Sequence, residues 1–406
     1  MHVFDFTTLG ALLLVASVVA MITHRIKLPY SVGLVAAGIV LALLPVDIAL
    51  PLTPELIFFV FLPPLVFEAA VQIPWVPLRR ELPLLIALVT VGVVLAAGVV
   101  AVGMHYMSGW SWIGAAMFGV LIAATDPVSV IAAFKSMKVE HRLHLLVESE
   151  SLLNDGVAAV GFAILVAIAA GEAAGPVAVS VKLAQTVFGG IACGGLVAVP
   201  LILVAGRTHD RLVEITLTMV IAYGSFLLAE HFHMSGVLAT LTAGVIVGNY
   251  GFLGSFSADG RQGMLAHWEY VAFLINSIIF ILIGGREATM PFLAVIEAAA
   301  AATVLALIGR AVAVYPIMAA FRGTRLAVPW GYKHVLFWGG LRGALALALA
   351  LGLPATIPER DTIIVVSFAV VAFSIFVQGI TMPWLIQWLG LIAPDTAGHA
   401  SADSGQ

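Results

Sequence analysis

"AATDPVSV" occupies Ala123–Val130 and interrupts a stretch otherwise apolar enough to cross a membrane. Pro127 has no backbone N–H to donate and biases Asp126 away from helical geometry. The helix is therefore expected to break where a carboxylate stands. Carbonyls near Ala123 and Thr125 are freed there, and unwound backbone at membrane depth survives only against protein or a cavity. "WGGLRGALAL" (Trp338–Leu347) is a second interruption. Where the two breaks fall in the order of spans sets the fold.

Of the 406 residues, 62% are hydrophobic and 10% charged, and mean hydropathy is +1.12. Soluble domains carry about 25% charged residues, so a single soluble core is excluded. Apolar runs of roughly 20 residues recur along the chain, as spanning helices require. They lack the period-two alternation of a membrane barrel. An all-α polytopic membrane protein follows. The net charge of −4 with no basic tract gives no reason to expect nucleic acid. The single cysteine, Cys193, excludes an internal disulfide framework. No cofactor is implied, and enzymatic activity is not expected.

About thirteen spans are expected, near residues 5–23, 29–45, 55–72, 82–106, 110–134, 146–169, 176–205, 212–231, 235–250, 266–284, 290–320, 333–352 and 362–389. Of the eighteen Lys and Arg, thirteen fall in or beside odd-numbered loops, among them Arg25, Lys27, Arg79, Arg80, Lys135 and Arg142. Lys182, Arg286 and Arg360 lie near even loops, while Arg310 and Arg342 sit inside spans. The positive-inside rule then makes the odd loops cytoplasmic, the N-terminus external and the C-terminus cytoplasmic. Residues 392–406 read as a short cytoplasmic tail with no soluble domain appended.

Six spans on either side of a seventh make an inverted repeat, because the odd linker sends the second six in from the opposite face. The two breaks fall in the fifth span of each half. Matching interrupted helices are the best sequence pointer to a transporter's binding site.

"ESESLLNDGVAAVGFAIL" (Glu148–Leu165) opens the sixth span with acids. At about 1.5 Å rise per residue, Asp155 lies roughly 14 Å in, close to the middle of a core about 30 Å thick. Intramembrane acids are rare, face the bundle interior and mark ion or proton paths. Glu150, Ser151, Asn154 and Asp155 form one polar wedge, since residues four apart share a helix face. Gly156 lets another helix approach. Carboxylate, hydroxyl and freed carbonyl oxygens together suit a hard cation. Asp126 has a plainer reading as a helix N-terminal cap, and Glu150 as the partner of a membrane arginine.

"LPPLVFEAA" (Leu62–Ala70), "ATDPVSV", "ESLLNDGVAAV", "IGRAVAV" and "GGLRGALALALAL", in this order, resemble the monovalent cation/proton antiporters of the NhaP and NHE type, electroneutral branch. The resemblance runs from the first span to about Leu391. It implies thirteen helices in two inverted six-helix repeats whose broken helices cross. It also implies a core domain (about 82–170 and 290–391) that moves against a dimerisation domain (about 1–80 and 176–285) within a membrane domain spanning 1–391. By resemblance, Asp155 binds either cation or proton, with Ser151 and the Thr125 backbone carbonyl as further ligands and Glu150 beside them. Asn154 stands where the electrogenic branch has a second acid. Arg310 is expected to pair with Glu150, and Arg342 to offset helix ends or Asp126. Glu68 reads as a funnel residue, a contact to a second protomer or a structural acid.

The implied function is proton exchange for Na⁺, with Li⁺ or K⁺ as alternatives, 1:1 and electroneutral, by a homodimer in the cell membrane of a prokaryote. Burial and nearby positive charge act in opposite directions on a carboxylate's proton affinity; balanced near neutrality, proton and cation compete for one site. A cation-coupled solute symporter is the nearest alternative, an intramembrane aspartyl protease built on Asp126 and Asp155 a more distant one, and a channel a third.

Overall fold

The structure, a computed structural model, describes residues 6–26, 28–44, 52–171, 175–251 and 256–392. Residue 5, Lys27 and residues 393–406, on which expectations above partly rest, lie outside the described residues. Fifteen helical rods follow one another: α1 (Phe6–Ile26), α2 (Tyr30–Leu43), α3 (Leu56–Gln72), α4 (Trp75–Ser108), α5 (Trp112–Ala123), α6 (Val128–Met137), α7 (His141–Ala169) and α8 (Pro176–Ala205). Then come α9 (Arg211–His231), α10 (Gly236–Asn249), α11 (Ala258–Glu287), α12 (Phe292–Ala320), α13 (Trp330–Trp338), α14 (Ala344–Leu351) and α15 (Arg360–Trp388). Counted as single crossings, the broken pairs α5/α6 and α13/α14 bring the number to thirteen among the described residues. Extended structure among them is confined to one bridge, Val139 to Ile392.

Three helices begin earlier than hydropathy suggests. α4 starts at Trp75 rather than 82, α7 at His141 rather than 146 and α11 at Ala258 rather than 266. All three starts follow odd-numbered loops and carry Arg79 and Arg80, Arg142, and Arg261. A hydropathy criterion trims such turns, but a helix keeps its backbone hydrogen bonds as it passes from lipid into the interface.

Helices α2, α3 and α10 are only 14, 17 and 14 residues long. At about 1.5 Å per residue the 14-residue rods fall short of a bilayer core, and all three pack against longer neighbours. α2 lies on α11 with backbones in contact: a Cβ on Gly38 would strike the Ile281 carbonyl, and one on Gly284 that of Val35. Small residues permit such approach where lipid offers no hydrophobic drive between helices.

One apolar cluster draws only on α3, α8, α9, α10, α11 and the turn before α11, through Phe67, Val71, Ile202, Ile221, Val247, Phe256 and Trp268. The main cluster takes in α4 to α7 and α12 to α15 together with buried residues of α1, α2, α3, α9, α10 and α11. The two broken helices stand at the centre of the main cluster, and the long α7 runs beside both breaks.

Candidate functional site

Helix α5 ends at Ala123, residues 124–127 are non-helical, and α6 begins at Val128. Helix α13 ends at Trp338, and α14 begins at Ala344 after Gly339–Gly343. The two unwound stretches meet: the Asp126 amide donates to the Leu341 carbonyl at 2.8 Å. Two half-helix N-termini and two C-termini therefore converge in the bundle, each with backbone groups lacking helical partners.

Side chains satisfy them. Asp126 Oδ1 accepts from the Val128 amide at 2.9 Å, and its carboxylate also accepts from the Ala344 backbone. One acid thus caps the N-termini of both α6 and α14, as the partial positive charge there favours. Asn154, on α7, donates Nδ2 to the Ala123 carbonyl at 2.8 Å and to Thr125 Oγ1 at 3.0 Å. Thr125 Oγ1 in turn donates to Ser151 Oγ at 3.2 Å. The Arg342 guanidinium donates from Nη1 to the Gly340 carbonyl at 2.9 Å, two residues past the end of α13.

Glu150 meets Arg310, on α12, in a bidentate pair: Nη1 to Oε1 at 2.6 Å and Nη2 to Oε2 at 2.8 Å. Both side chains are buried, and Arg310 also donates from Nε and Nη2 to the Leu336 carbonyl. Paired and hydrogen-bonded in this way, a charge is tolerable in the interior. Glu150 is held by Arg310 through both carboxylate oxygens.

Asp155 is different. Its carboxylate accepts from the Thr125 backbone, but Oδ1 is buried with no hydrogen-bond partner among the described residues. It lines a cavity of about 320 Å³ together with Thr125, Asp126, Glu68, Glu148 and Glu269. Lys135, at the end of α6, lines it too. The cavity therefore rises from the odd-loop side to the midplane, between α3 and α11 on one wall and α6, α7 and α14 on the other. Gly156 brings α7 against α10: a Cβ there would meet Leu238.

The residues expected together are not all on one surface. Asp155, Thr125 and Asp126 line the cavity; Ser151, Asn154 and Glu150 stand behind them. Thr125 contributes an amide and a hydroxyl to the network, beyond the carbonyl expected from sequence. Glu68 lies on the cavity wall, hydrogen-bonded to Gln72. Glu269 lies inside the tenth expected span, close to its odd-loop start, where an acid reads as interfacial and carries no distinctive signal. Ser31 of α2 and Ser129 of α6, both buried, share a hydrogen bond between those helices. Serines at helix ends carry no distinctive signal in a sequence. Among the described residues no cluster of His, Cys, Asp and Glu is arranged to hold a metal in the manner of a resident cofactor.

The family model for the sodium/hydrogen exchanger transmembrane region matches residues 12–388. The chain belongs to the sodium/hydrogen exchanger family. It is 41% identical over 370 residues to the Na⁺/H⁺ antiporter ApNhaP of Aphanothece halophytica, covering 90% of this chain and 70% of that protein. It is 32% identical over 406 residues to the Na⁺/H⁺ antiporter NhaP of Pseudomonas aeruginosa, covering 93% and 95%. The fold is that of the sodium proton antiporter MjNhaP1 from Methanocaldococcus jannaschii, with a TM-score of 0.74, 19% identity, and 96% and 99% of the two chains covered. This exchanger is thus a multi-pass, prokaryotic NhaP-type member. Membership of this family also gives no support to the symporter and protease readings.

Proposed function

We propose that the chain exchanges protons for Na⁺ across the cell membrane, one for one, with Asp155 as the group that binds either ion. The observation that carries this reading is the Asp155 carboxylate on the cavity wall, with one buried oxygen that no protein group among the described residues satisfies. Such an oxygen calls for a proton or a cation. Thr125 and Ser151, joined by a hydrogen bond, supply further oxygens in the network, and a hard cation accepts such ligands. Li⁺ and K⁺ have the same ligand preferences.

Occupied by either ion, Asp155 is close to neutral and can pass apolar walls. Empty, it is a charge at membrane depth and costs on the order of 2.5–3.5 kcal/mol or more to carry across. That difference enforces exchange. Because Asn154 carries no charge and Glu150 is neutralised by Arg310, Asp155 is the one acid of the α7 wedge left without a counter-charge, which supports the electroneutral stoichiometry.

The cavity lies between the two expected domains. α3 and α11 belong to the stretches assigned to dimerisation (about 1–80 and 176–285), α6, α7 and α14 to the core (about 82–170 and 290–391). Alternating access is then a rocking of the core that closes this cavity and opens its counterpart. The positive-inside rule makes the open side cytoplasmic, with the N-terminus outside and the C-terminus inside. α1 and α8 present exposed Leu14, Met21, Phe188, Leu196 and Leu203, surfaces suited to lipid and to a second protomer.

The test is Asp155→Asn in proteoliposomes under an imposed pH gradient. The variant is expected to fold yet to lose Na⁺-dependent proton movement. Exchange retained at the wild-type rate would overturn the assignment. Collapsing the membrane potential with an ionophore should leave wild-type exchange unchanged; a marked rise in rate would instead indicate unequal charge.

A further inference from the structure

The second broken helix has its own amide clasp. Gln378 lies in the π-type turn Ser374–Gly379 of α15, is buried, and donates Nε2 to the Trp338 carbonyl at 3.0 Å. Trp338 is the last residue of α13. In the first half, Asn154 of α7 donates Nδ2 to the carbonyl of Ala123, the last residue of α5. Both donors sit on the sixth helix of their repeat, and both acceptors end the first rod of the broken fifth helix. The correspondence follows the inverted repeat, although the two amides differ in length and in the local helix that carries them.

We propose that Gln378 is a positioning residue of the transport site, holding the second break in register as Asn154 holds the first. The reading rests on Asp155 as the exchanging group. The Trp338 side chain is fixed as well, its Nε1 donating to Thr381 Oγ1 at 2.8 Å. Three residues beyond Trp338, the Leu341 carbonyl receives the Asp126 amide, and adjacent Thr125 hydrogen-bonds Asp155. Gln378 therefore sets, through Trp338 and Leu341, where the Thr125–Asp126 backbone lies relative to the carboxylate.

The chemistry at the two breaks accounts for an amide on each. A half-helix C-terminus carries partial negative charge and unpaired carbonyls. An amide donor satisfies a carbonyl without adding net charge. The α13 end already receives Arg310 at Leu336 and Arg342 at Gly340, and a third cation beside them would be repelled. Arg310, Arg342 and Gln378 share one small cavity with Ser374 and Thr303. A π-type turn is a frequent feature of functional sites in helices, and here it belongs to the segment that presents Gln378.

The test compares Gln378→Met, which keeps the length and removes the donor, with Gln378→Glu. A carboxylate at 378, facing Arg310 and Arg342, stays ionised and cannot donate to Trp338. Reconstituted at equal protein levels, both variants are expected to raise the apparent KM for Na⁺ about tenfold, the effect of losing one buried hydrogen bond. A residue with a purely structural role would lower the unfolding temperature and leave the apparent KM of the folded fraction alone. An apparent KM within twofold of wild type in either variant overturns the proposal. Should Gln378→Met fail to fold, Gln378→Glu, which retains partners in the arginines, decides. Asp155→Asn in the same series separates the readings: loss of exchange there with normal Gln378 variants leaves the site assignment standing and removes this one.

Discussion

The Asp126 carboxylate stands where a Cβ on Gly343 would be. The crossing of the two broken helices closes on this pair, because the acid that caps α6 and α14 occupies the space a side chain would need. Gly343→Ala is therefore expected to destabilise the protein by about 1–3 kcal/mol, as overpacking of a filled interior does. Unfolding temperature in detergent measures it. A wild-type value would mean that the crossing yields without strain.

Arg310→Ala leaves Glu150 charged and unpaired in the bundle. Breaking a buried pair on one side costs about 3–5 kcal/mol. The expected phenotype is poor yield and low thermal stability, with the ion preference of surviving protein unchanged. Removing both charges, as in Arg310→Met with Glu150→Leu, should cost less than either single change. If the double variant is the least stable of the three, the charge-pairing account fails.

Asn154→Asp exchanges a donor for an acceptor at the Ala123 carbonyl. A buried group left unsatisfied costs about 1–3 kcal/mol, so exchange should fall by tenfold or more and the acid should not simply add a second transported charge. Flux with the membrane potential clamped at several values reads both effects. Full activity with new voltage dependence would refute this.

Ser31 and Ser129 join α2 to α6 beside the cavity. The bond is made in the conformation with the cavity open, and a rocking of α6 away from α2 is expected to break it. Ser129→Ala removes about 1 kcal/mol of preference for that conformation, which is about a fivefold change in population. Labelling a cysteine placed at Ala132, on the cavity wall, in a Cys193→Ser background should slow accordingly. Unchanged labelling would show that the serines do not bias access.

Three carboxylates, Glu68, Glu148 and Glu269, share the cavity with Lys135. Acidic walls raise the local cation concentration, and salt screens the effect. Glu269→Gln should raise the apparent KM for Na⁺ about threefold at low ionic strength, where this focusing is strongest. The difference should vanish at an ionic strength of about 1 M, where the Debye length falls to about 3 Å. A defect of equal size at both would instead place Glu269 in the binding site.

The sequence alone determined the class of protein, the number of crossings and the two breaks, because hydropathy and proline act on the chain locally. It also singled out Asp155, since a carboxylate at mid-span is anomalous whatever surrounds it. Partners were another matter. Nothing within a segment says that Asn154 rather than Ser151 reaches the Ala123 carbonyl, or that Gln378 clasps Trp338. Those bonds depend on how each helix is rotated about its axis, which packing between distant segments decides. The polar first turns of α4, α7 and α11 were hidden because a helix passes from lipid to water without breaking, and Glu269, inside its expected span, was unmarked because only packing brings it to the cavity. The pairing of Glu150 with Arg310 across 160 residues was expected by resemblance. The tertiary structure supplied its physical cause, because α7 and α12 bring the two charges together away from water. Of the four polar residues that open α7, only Asp155 is left facing the cavity with an unsatisfied oxygen.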